Sequence, residues 1–501
     1  MRTAYTSDQI RAAERALMAR LPEGTLMSRA ASGLASTCAR VLARARGRVY
    51  GSRVVLLIGS GDNGGDALYA GARLAARGAR VDAILAGSRA HQGGLAALSA
   101  AGGRAAEFAP GPARELVAAA DLVMDGLVGI GSAGALREPY GTLAGLVADA
   151  PGLVVAVDVP SGVDASTGRV DGPAVRAHTT VTFGAYKVGL LVDPGAAFCG
   201  TVEPVDIGLG PYLPDADVAA PTADDVADLL PSPAHESDKY RRGVIGIVAG
   251  SDTFTGAAVL AVGGAIRAGV GMVRFAGVEE PVRYVRARWP EAVTTVLAPG
   301  SKGVLADVGR VQAWVVGPGL GTGPHARDLV AEILGTDLPV LVDADGLTHV
   351  ARDRSRLRRT GPTLLTPHAG ELARLLDVPR EDVEARRIEH VRRAAHELGA
   401  TVLLKGATTL VAEEDRPVRV NSTGTPWLAT GGTGDVLSGV AGALLAGGLS
   451  CYDAASCAAY LHGLAGRIAA AGPAGGVRPG GGAAIAALDV AEALPDAVRA
   501  L

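Results

Sequence analysis

Short apolar runs alternate with alanine-rich stretches of helical period along most of the chain, the pattern of an α/β protein with largely parallel sheets. In the first half the runs are Val54–Ile58, Val81–Leu85, Asp121–Asp125 and Val154–Val159. They close near glycine or aspartate, where a parallel sheet opens its ligand crevice. The alternation lapses in GLGPYLPDADVAAPTADDVADLLPSP, where proline and aspartate cluster, and this predicts a linker over 214–233. It restarts with Val244–Ala249, Met272–Ala276, Trp314–Val316, Val340–Asp343, Thr363–Thr366 and Thr401–Lys405, followed by a hairpin of Thr408–Ala412 and Val418–Val420. Two α/β domains are therefore expected, 1–213 and 234–501. The opening residues predict a helix with a Thr6–Gln9 capping box, and their scattered charges do not read as a secretion signal. Residues 469–484, rich in glycine and proline, predict a loop.

Composition narrows this picture. A chain of 501 residues exceeds one ordinary core, which agrees with two domains. With 48% hydrophobic and 20% charged residues it is globular rather than disordered. The net charge of -3 offers no basic field for nucleic acid or an anionic membrane, and no apolar run has spanning length. Cys38, Cys199, Cys451 and Cys457 lack metal or redox spacing, so a reducing, cytoplasmic setting is expected. Lysine occurs only at 187, 239, 302 and 405, against arginine elsewhere, which marks those positions as ones needing a compact ammonium.

Two regions carry candidate chemistry. The run VVLLIGSGDNGGDALYAGARLA is strand, glycine turn and helix, with Gly59, Gly61 and Gly64 in the spacing that aims backbone N–H groups at a phosphate. A dinucleotide dehydrogenase would also end its second strand on an acid; here that strand ends Ala86-Gly87-Ser88-Arg89. Asp62, Asn63 and Asp66 crowd the turn, and two further strands end at Asp125 and Asp158. Singly these residues read as helix caps; as a set they aim carboxylates at one crevice, which raises a carboxyl pKa or calls for a cation.

In the second half Gly431-Gly432-Thr433-Gly434-Asp435 opens a helix, leaving N–H groups for an anion and a carboxylate beside it, as in-line phosphoryl transfer to a hydroxyl requires. Alone it is also an ordinary glycine turn. Four strand ends accompany it: Gly317–Gly321, Val342–Gly346, Thr366–Glu371 and Leu403–Thr409. Lys239 and Tyr240 either cover this site or end the linker.

GSGDNGGDA, VMDGLVGIGSAGALREPY, VAVDVPSGVDASTG and VTFGAYKVGLLVDPG resemble the signature segments of NAD(P)H-hydrate epimerase. The resemblance implies a Rossmann-like doubly wound domain with K+ on Asn63, Asp125 and Ser161. Substrate contacts would come from Asp62, Asn63, Gly64, Gly65 and Asp66, from Gly129, Ile130, Gly131, Ser132, Ala133, Gly134 and Ala135, and from Asp158, also the chosen acid/base. Asp62 and Ala67 depart from the family's usual Asn and Gly. The order VDADGL, LTPHAGEL, LLKGATT, GGTGD resembles the ribokinase-like NAD(P)H-hydrate dehydratases. That implies ADP or ATP with Mg2+, Asp435 as base and Gly432, Thr433 and Gly434 as anion hole. It also implies Lys405, Gly406, Ala407, Thr408 and Thr409 on the nucleotide, and Ala257, Gly319, His368 and Asp435 on the hydrate. The implied work is epimerisation of R- and S-NADHX and NADPHX and dehydration of the S form with ADP, leaving AMP and phosphate, by a homo-oligomer. The alternative is a small-alcohol or vitamin-precursor kinase with a non-catalytic N-terminal binding module.

Overall fold

A computed structural model describes residues 1–298, 303–471 and 482–501. The centre of the loop expected at 469–484 and Lys302 lie outside them. By its internal contacts the chain divides into two compact units, one of Thr3–Val218 and one that comprises Ala219–Leu501 and includes Met1–Arg2.

Among the described residues of the first unit, seven parallel strands form a sheet in the order Arg104–Glu107, Arg80–Leu85, Arg53–Ile58, Leu122–Gly126, Leu153–Val157, Thr179–Phe183, Thr201–Val205. The run at 54–58 is apolar throughout because both its faces are covered. Val54, Leu56 and Ile58 enter one core with Leu34 and Leu68, while Val55 and Leu57 enter another with Val117 and Leu143. The strand order reverses between Arg53–Ile58 and Leu122–Gly126, so the crevice of a doubly wound sheet opens beyond their C-terminal ends. The two chain segments meet closely there: a Cβ on Gly59 would lie 1.7 Å from the Leu127 carbonyl oxygen.

The second unit carries parallel strands in the order Val293–Val296, Met272–Gly277, Val244–Val248, Ala313–Val316, Val340–Val342, Thr363–Leu365, Thr401–Leu404. The antiparallel pair Thr409–Ala412 and Val418–Asn421 extends it, so the expected hairpin forms. The helices Thr255–Arg267 and Thr433–Ala446 pack together over this sheet, burying Ala261, Val262 and Ala265 against Val436 and Val440.

The helix Ser7–Met18 opens with the Thr6–Gln9 capping box. The stretch expected as a linker is more ordered than proline and aspartate suggested. It holds the strand Val218–Ala220 and the helix Ala223–Leu229, whose box pairs Thr222 with Asp225; these polar residues cap structure rather than interrupt it. The four cysteines are free and buried. Among the described residues no helix is long and apolar enough to cross a membrane.

Candidate active sites

A cavity of about 490 Å³ opens at the crevice of the first unit, lined in part by Ser60, Asp62, Asn63, Asp66, Gly129–Ser132 and Asp158. Asp158 follows the strand Leu153–Val157 at φ 65°, a left-handed backbone that few non-glycine residues adopt. Its Oδ1 accepts the Phe183 N–H at 3.0 Å and the Thr182 hydroxyl at 3.2 Å, and pairs with the ammonium of Lys187. Lys187 is 1% exposed and donates also to Thr182 Oγ1 (3.0 Å) and the Phe183 carbonyl (2.8 Å). All these donors fall on Oδ1, so none of them engages Oδ2.

Deeper in the crevice Asp125 is wholly buried. Its carboxylate accepts the Ser161 hydroxyl at 2.7 Å, the Ser161 N–H at 2.8 Å and the Leu127 N–H at 3.3 Å. Burial nevertheless pushes it up to about 6, because three neutral donors do not replace lost hydration. Asn63 Nδ2 donates to the carbonyls of Val128 (2.9 Å) and Val157 (3.0 Å), which reserves its Oδ1 for another partner. Asp66 Oδ1 is buried without a hydrogen bond. Burial, then the charges of Asp158, Asp62 and Glu14, hold the Asp66 carboxyl well above the usual range. Glu14 is raised in turn, by burial first and then Asp158.

The second unit has two adjoining cavities. One, about 510 Å³, is lined by Thr253–Ala257, Leu260, Gly319 and Asp345; the other, about 650 Å³, by Asp343, His368, Lys405–Ala407, Thr409 and the 424–434 segment among others. Gly431, Gly432 and Asp435 line both. Gly432 precedes the helix Thr433–Ala446 at φ 90°, a left-handed backbone that favours glycine, and a Cβ there would press on the end of the Leu260 side chain. Thr433 Oγ1 donates to the Leu428 carbonyl at 2.9 Å, fixing the turn. His462, driven down to about 4 by burial, bonds the Thr433 carbonyl at 2.9 Å.

Burial first, then the negative charge of Asp343, pushes Asp435 up to about 7; Lys405 opposes the rise, and Asp345 and Glu371 add to it. Lys405 Nζ donates to Asp343 Oδ1 at 2.8 Å and lies 3.8 Å from Glu371 Oε2. Glu371 Oε2 accepts the His368 N–H at 2.7 Å, and His368 Nδ1 accepts the N–H groups of Gly370 and Glu371.

The description NAD(P)H-hydrate dehydratase belongs to the family model matching residues 245–480, and YjeF-related protein N-terminus to the one matching 23–189. The chain is 48% identical over 482 residues to the bifunctional NAD(P)H-hydrate repair enzyme Nnr of Mycobacterium leprae (strain TN), covering 96% of each. It is 49% identical over 459 residues to the enzyme of that name from Mycobacterium tuberculosis (strain ATCC 25618 / H37Rv), covering 91% and 92%. This chain belongs to the bifunctional NAD(P)H-hydrate repair enzymes. Its second unit also shares the fold of a ribokinase-like superfamily protein from Enterococcus faecalis V583, at TM-score 0.51 and 23% identity, covering 57% of this chain and 98% of that one.

Placed on this repair-enzyme fold, most sequence-predicted residues gather at the cavities. Asp62, Asn63, Asp66, Gly129, Ile130, Gly131, Ser132 and Asp158 line the first, with Asp125 and Ser161 bonded behind them. Gly64 and Gly65 lie buried in the helix Asp62–Ala75, and Ala133, Gly134 and Ala135 do not line the cavity. Ala257 and Gly319 line one cavity of the second unit and His368 the other, so these three are separated by the Gly431–Asp435 turn. Thr408 is buried beneath the loop whose Lys405, Gly406, Ala407 and Thr409 face the cavity. Lys239 and Tyr240 line neither; the ammonium stands 5.3 Å from the exposed Tyr240 ring. Sequence reasoning missed Arg11 and Glu14, which the first helix brings to the first cavity. It also gave no role to Lys187, although the scarcity of lysine marked it.

Proposed function

We propose that the first unit interconverts the R and S hydrates of NADH and NADPH, and that the second dehydrates the S form with ADP or ATP. The observation that carries the second assignment is the position of Asp435 on the wall common to two cavities. One suits the hydrated ring beside Ala257 and Gly319; the other suits a nucleotide along Lys405–Thr409. Asp435 then takes the hydroxyl proton of the hydrate as the terminal phosphoryl group, held by the N–H groups of Gly432–Gly434, moves onto that oxygen. The carbon–oxygen bond breaks with phosphate leaving, the ring nitrogen supplies the electron pair, and loss of the neighbouring C–H proton restores the reduced nicotinamide. Mg2+ carried on the nucleotide would neutralise phosphate charge. Among the described residues no three His, Cys, Asp or Glu side chains converge for a metal.

In the first unit Asp158 passes the proton of the hydroxyl to the ring nitrogen as the bond between that nitrogen and the hydroxyl-bearing carbon breaks to an aldehyde. The reverse transfer accompanies re-addition of the nitrogen to the other face; Lys187 fixes Oδ1 and leaves Oδ2 toward the substrate. Asn63, Asp125 and Ser161 would hold K+. An oxygen-only set with one buried carboxylate whose bonded partners carry no charge fits a hard monovalent cation. Membership of the repair family and the paired cavities disfavour a kinase that releases a stable phosphate ester.

A mixture of both NADH hydrates, with Mg2+, K+ and ADP or ATP, tests this directly through NADH absorbance and phosphate release. Complete recovery, faster than uncatalysed epimerisation, is expected. Replacing K+ by tetramethylammonium is expected to stop recovery at the S fraction. Phosphate ester accumulating without NADH would overturn the dehydratase assignment.

A further inference from the structure

Asp343 ends the strand Val340–Val342 and is 1% exposed. The next residue, Ala344, stands at φ 48° and ψ −117°, a backbone region that L-residues rarely enter. This bend separates two neighbouring carboxylates. Asp345 turns to the cavity of Ala257 and Gly319, where its Oδ2 accepts the Gly321 N–H at 2.8 Å; Asp343 turns to the nucleotide side. There Asp343 Oδ1 accepts Lys405 Nζ at 2.8 Å, and Oδ2 accepts the Ser438 hydroxyl at 2.7 Å. Ser438 is buried and lies three residues beyond Asp435 on the helix Thr433–Ala446. Lys405 Nζ in turn lies 3.5 Å from the place a Cβ on Gly434 would occupy, so the ammonium sits against the anion-binding turn.

We propose that Asp343 is a positioning residue of the dehydratase. It fastens Lys405 to the helix that carries Asp435 and supplies the negative charge against which Asp435 works. The inference rests on the reading of Asp435 as the base. Both oxygens of Asp343 are committed to protein donors, which suits a structural bridge and not a proton carrier. Its two partners belong to the two moving parts of the reaction: the lysine beside the phosphoryl donor and the helix of the base. A strained strand end that holds this carboxylate inward is what a site keeps when geometry there controls rate.

Charge gives the bridge a readout that mere scaffolding lacks. The groups around Asp435 are Asp343 and Asp345 from one strand end, His368 and Glu371 from the next, Lys405 from the third and His462 from the helix Cys451–Ala471. The helix Thr255–Arg267 contributes only uncharged residues to the lining, Thr255, Gly256, Ala257 and Leu260. Asp343 is the largest negative contributor, and Lys405 opposes it. Since the base works deprotonated, wild-type turnover rises through an acidic limb near the value of about 7 to which Asp435 is raised. Removing the Asp343 charge lowers that value, so the limb moves toward acid.

The test is the pH profile of dehydratase turnover on S-NADHX with saturating ADP and Mg2+ in the full-length enzyme, with melting temperature measured alongside. Asp343→Asn is expected to shift the acidic limb down by about one pH unit and to lower the plateau kcat by about tenfold or more. Asp343→Glu keeps the charge and is expected to leave the limb in place while kcat falls. Ser438→Ala removes one end of the bridge and is expected to lower kcat with the limb unmoved. An unshifted limb in folded Asp343→Asn would overturn the proposal. Should that variant fail to fold, a displaced limb in Asp343→Glu or an undiminished kcat in Ser438→Ala would do so. Asp435→Asn separates the two readings: turnover surviving there refutes the base assignment itself.

Discussion

Lys187 shows how much one side chain carries in the first site. In a chain where only four of the 48 basic residues are lysine, this one is sealed from solvent with its ammonium between Asp158, Thr182 Oγ1 and the Phe183 carbonyl. A guanidinium is planar and wide; a compact ammonium can meet three acceptors arranged around a point. Lys187→Met removes the positive half of a buried pair and leaves Asp158 charged without its partner, a change that costs about 3–5 kcal/mol. The expected result is a lower melting transition for the first unit and loss of epimerase activity, with S-NADHX dehydration unchanged. Calorimetry and the two assays run separately check this. Epimerisation at the wild-type rate would remove Lys187 from the mechanism.

At the scale of elements, the proposed sites of both units lie where strand order reverses or a glycine turn meets a helix, and some of the small residues there are matched to a space. Gly319 sits at φ 58°, with the position of a Cβ 2.7 Å from Ala257 Cβ. Ala257→Val, at that neighbouring position on the helix Thr255–Arg267, narrows the ring-side cavity without backbone strain and is expected to raise the KM for S-NADHX by about tenfold or more. ADP affinity, which the proposed function assigns to the other cavity, is expected to stay within about twofold; a matching loss of ADP binding in calorimetric titration would mean the two cavities are not independent. Elements of this kind were readable in advance wherever burial wrote a pattern. The run VVLLI, covered on both faces, and the strand ends at Asp125, Asp158, Asp343 and Lys405 all stood out. Arg104–Glu107 did not, because this edge strand is exposed at every position and leaves no alternation. Thr179–Phe183 did not either: its threonines are buried, yet read as polar letters. Glu14 and Arg11 were invisible for another reason. The helix Ser7–Met18 is announced by its cap, but the core that takes up Ile10, Ala13 and Leu17 decides which of its side chains reach the cavity. The same limit grouped His368 with Ala257 and Gly319, since sequence order does not reveal that the Gly431–Asp435 turn divides the space between them.

For the whole molecule, the question is what joining two catalytic units achieves. Each unit has its own core and its own proposed catalytic carboxylate, and what passes from one to the other is a stable small molecule, the S hydrate. Nothing in that chemistry requires the epimerised hydrate to stay bound, so the two activities can be supplied by different copies of the chain. Asp158→Asn alone is expected to consume a mixture of hydrates only to its S fraction, and Asp435→Asn alone to return no NADH. Mixed in equal amounts, with ADP, Mg2+ and K+, the two variants are expected to return all of it. The rate should rise with the concentration of whichever variant is limiting, as for two separate enzymes sharing a diffusible intermediate. NADH absorbance over time reads the outcome. A mixture that still halts at the S fraction would mean that the hydrate epimerised on one chain is available only to that chain, and that the fusion itself is part of the mechanism.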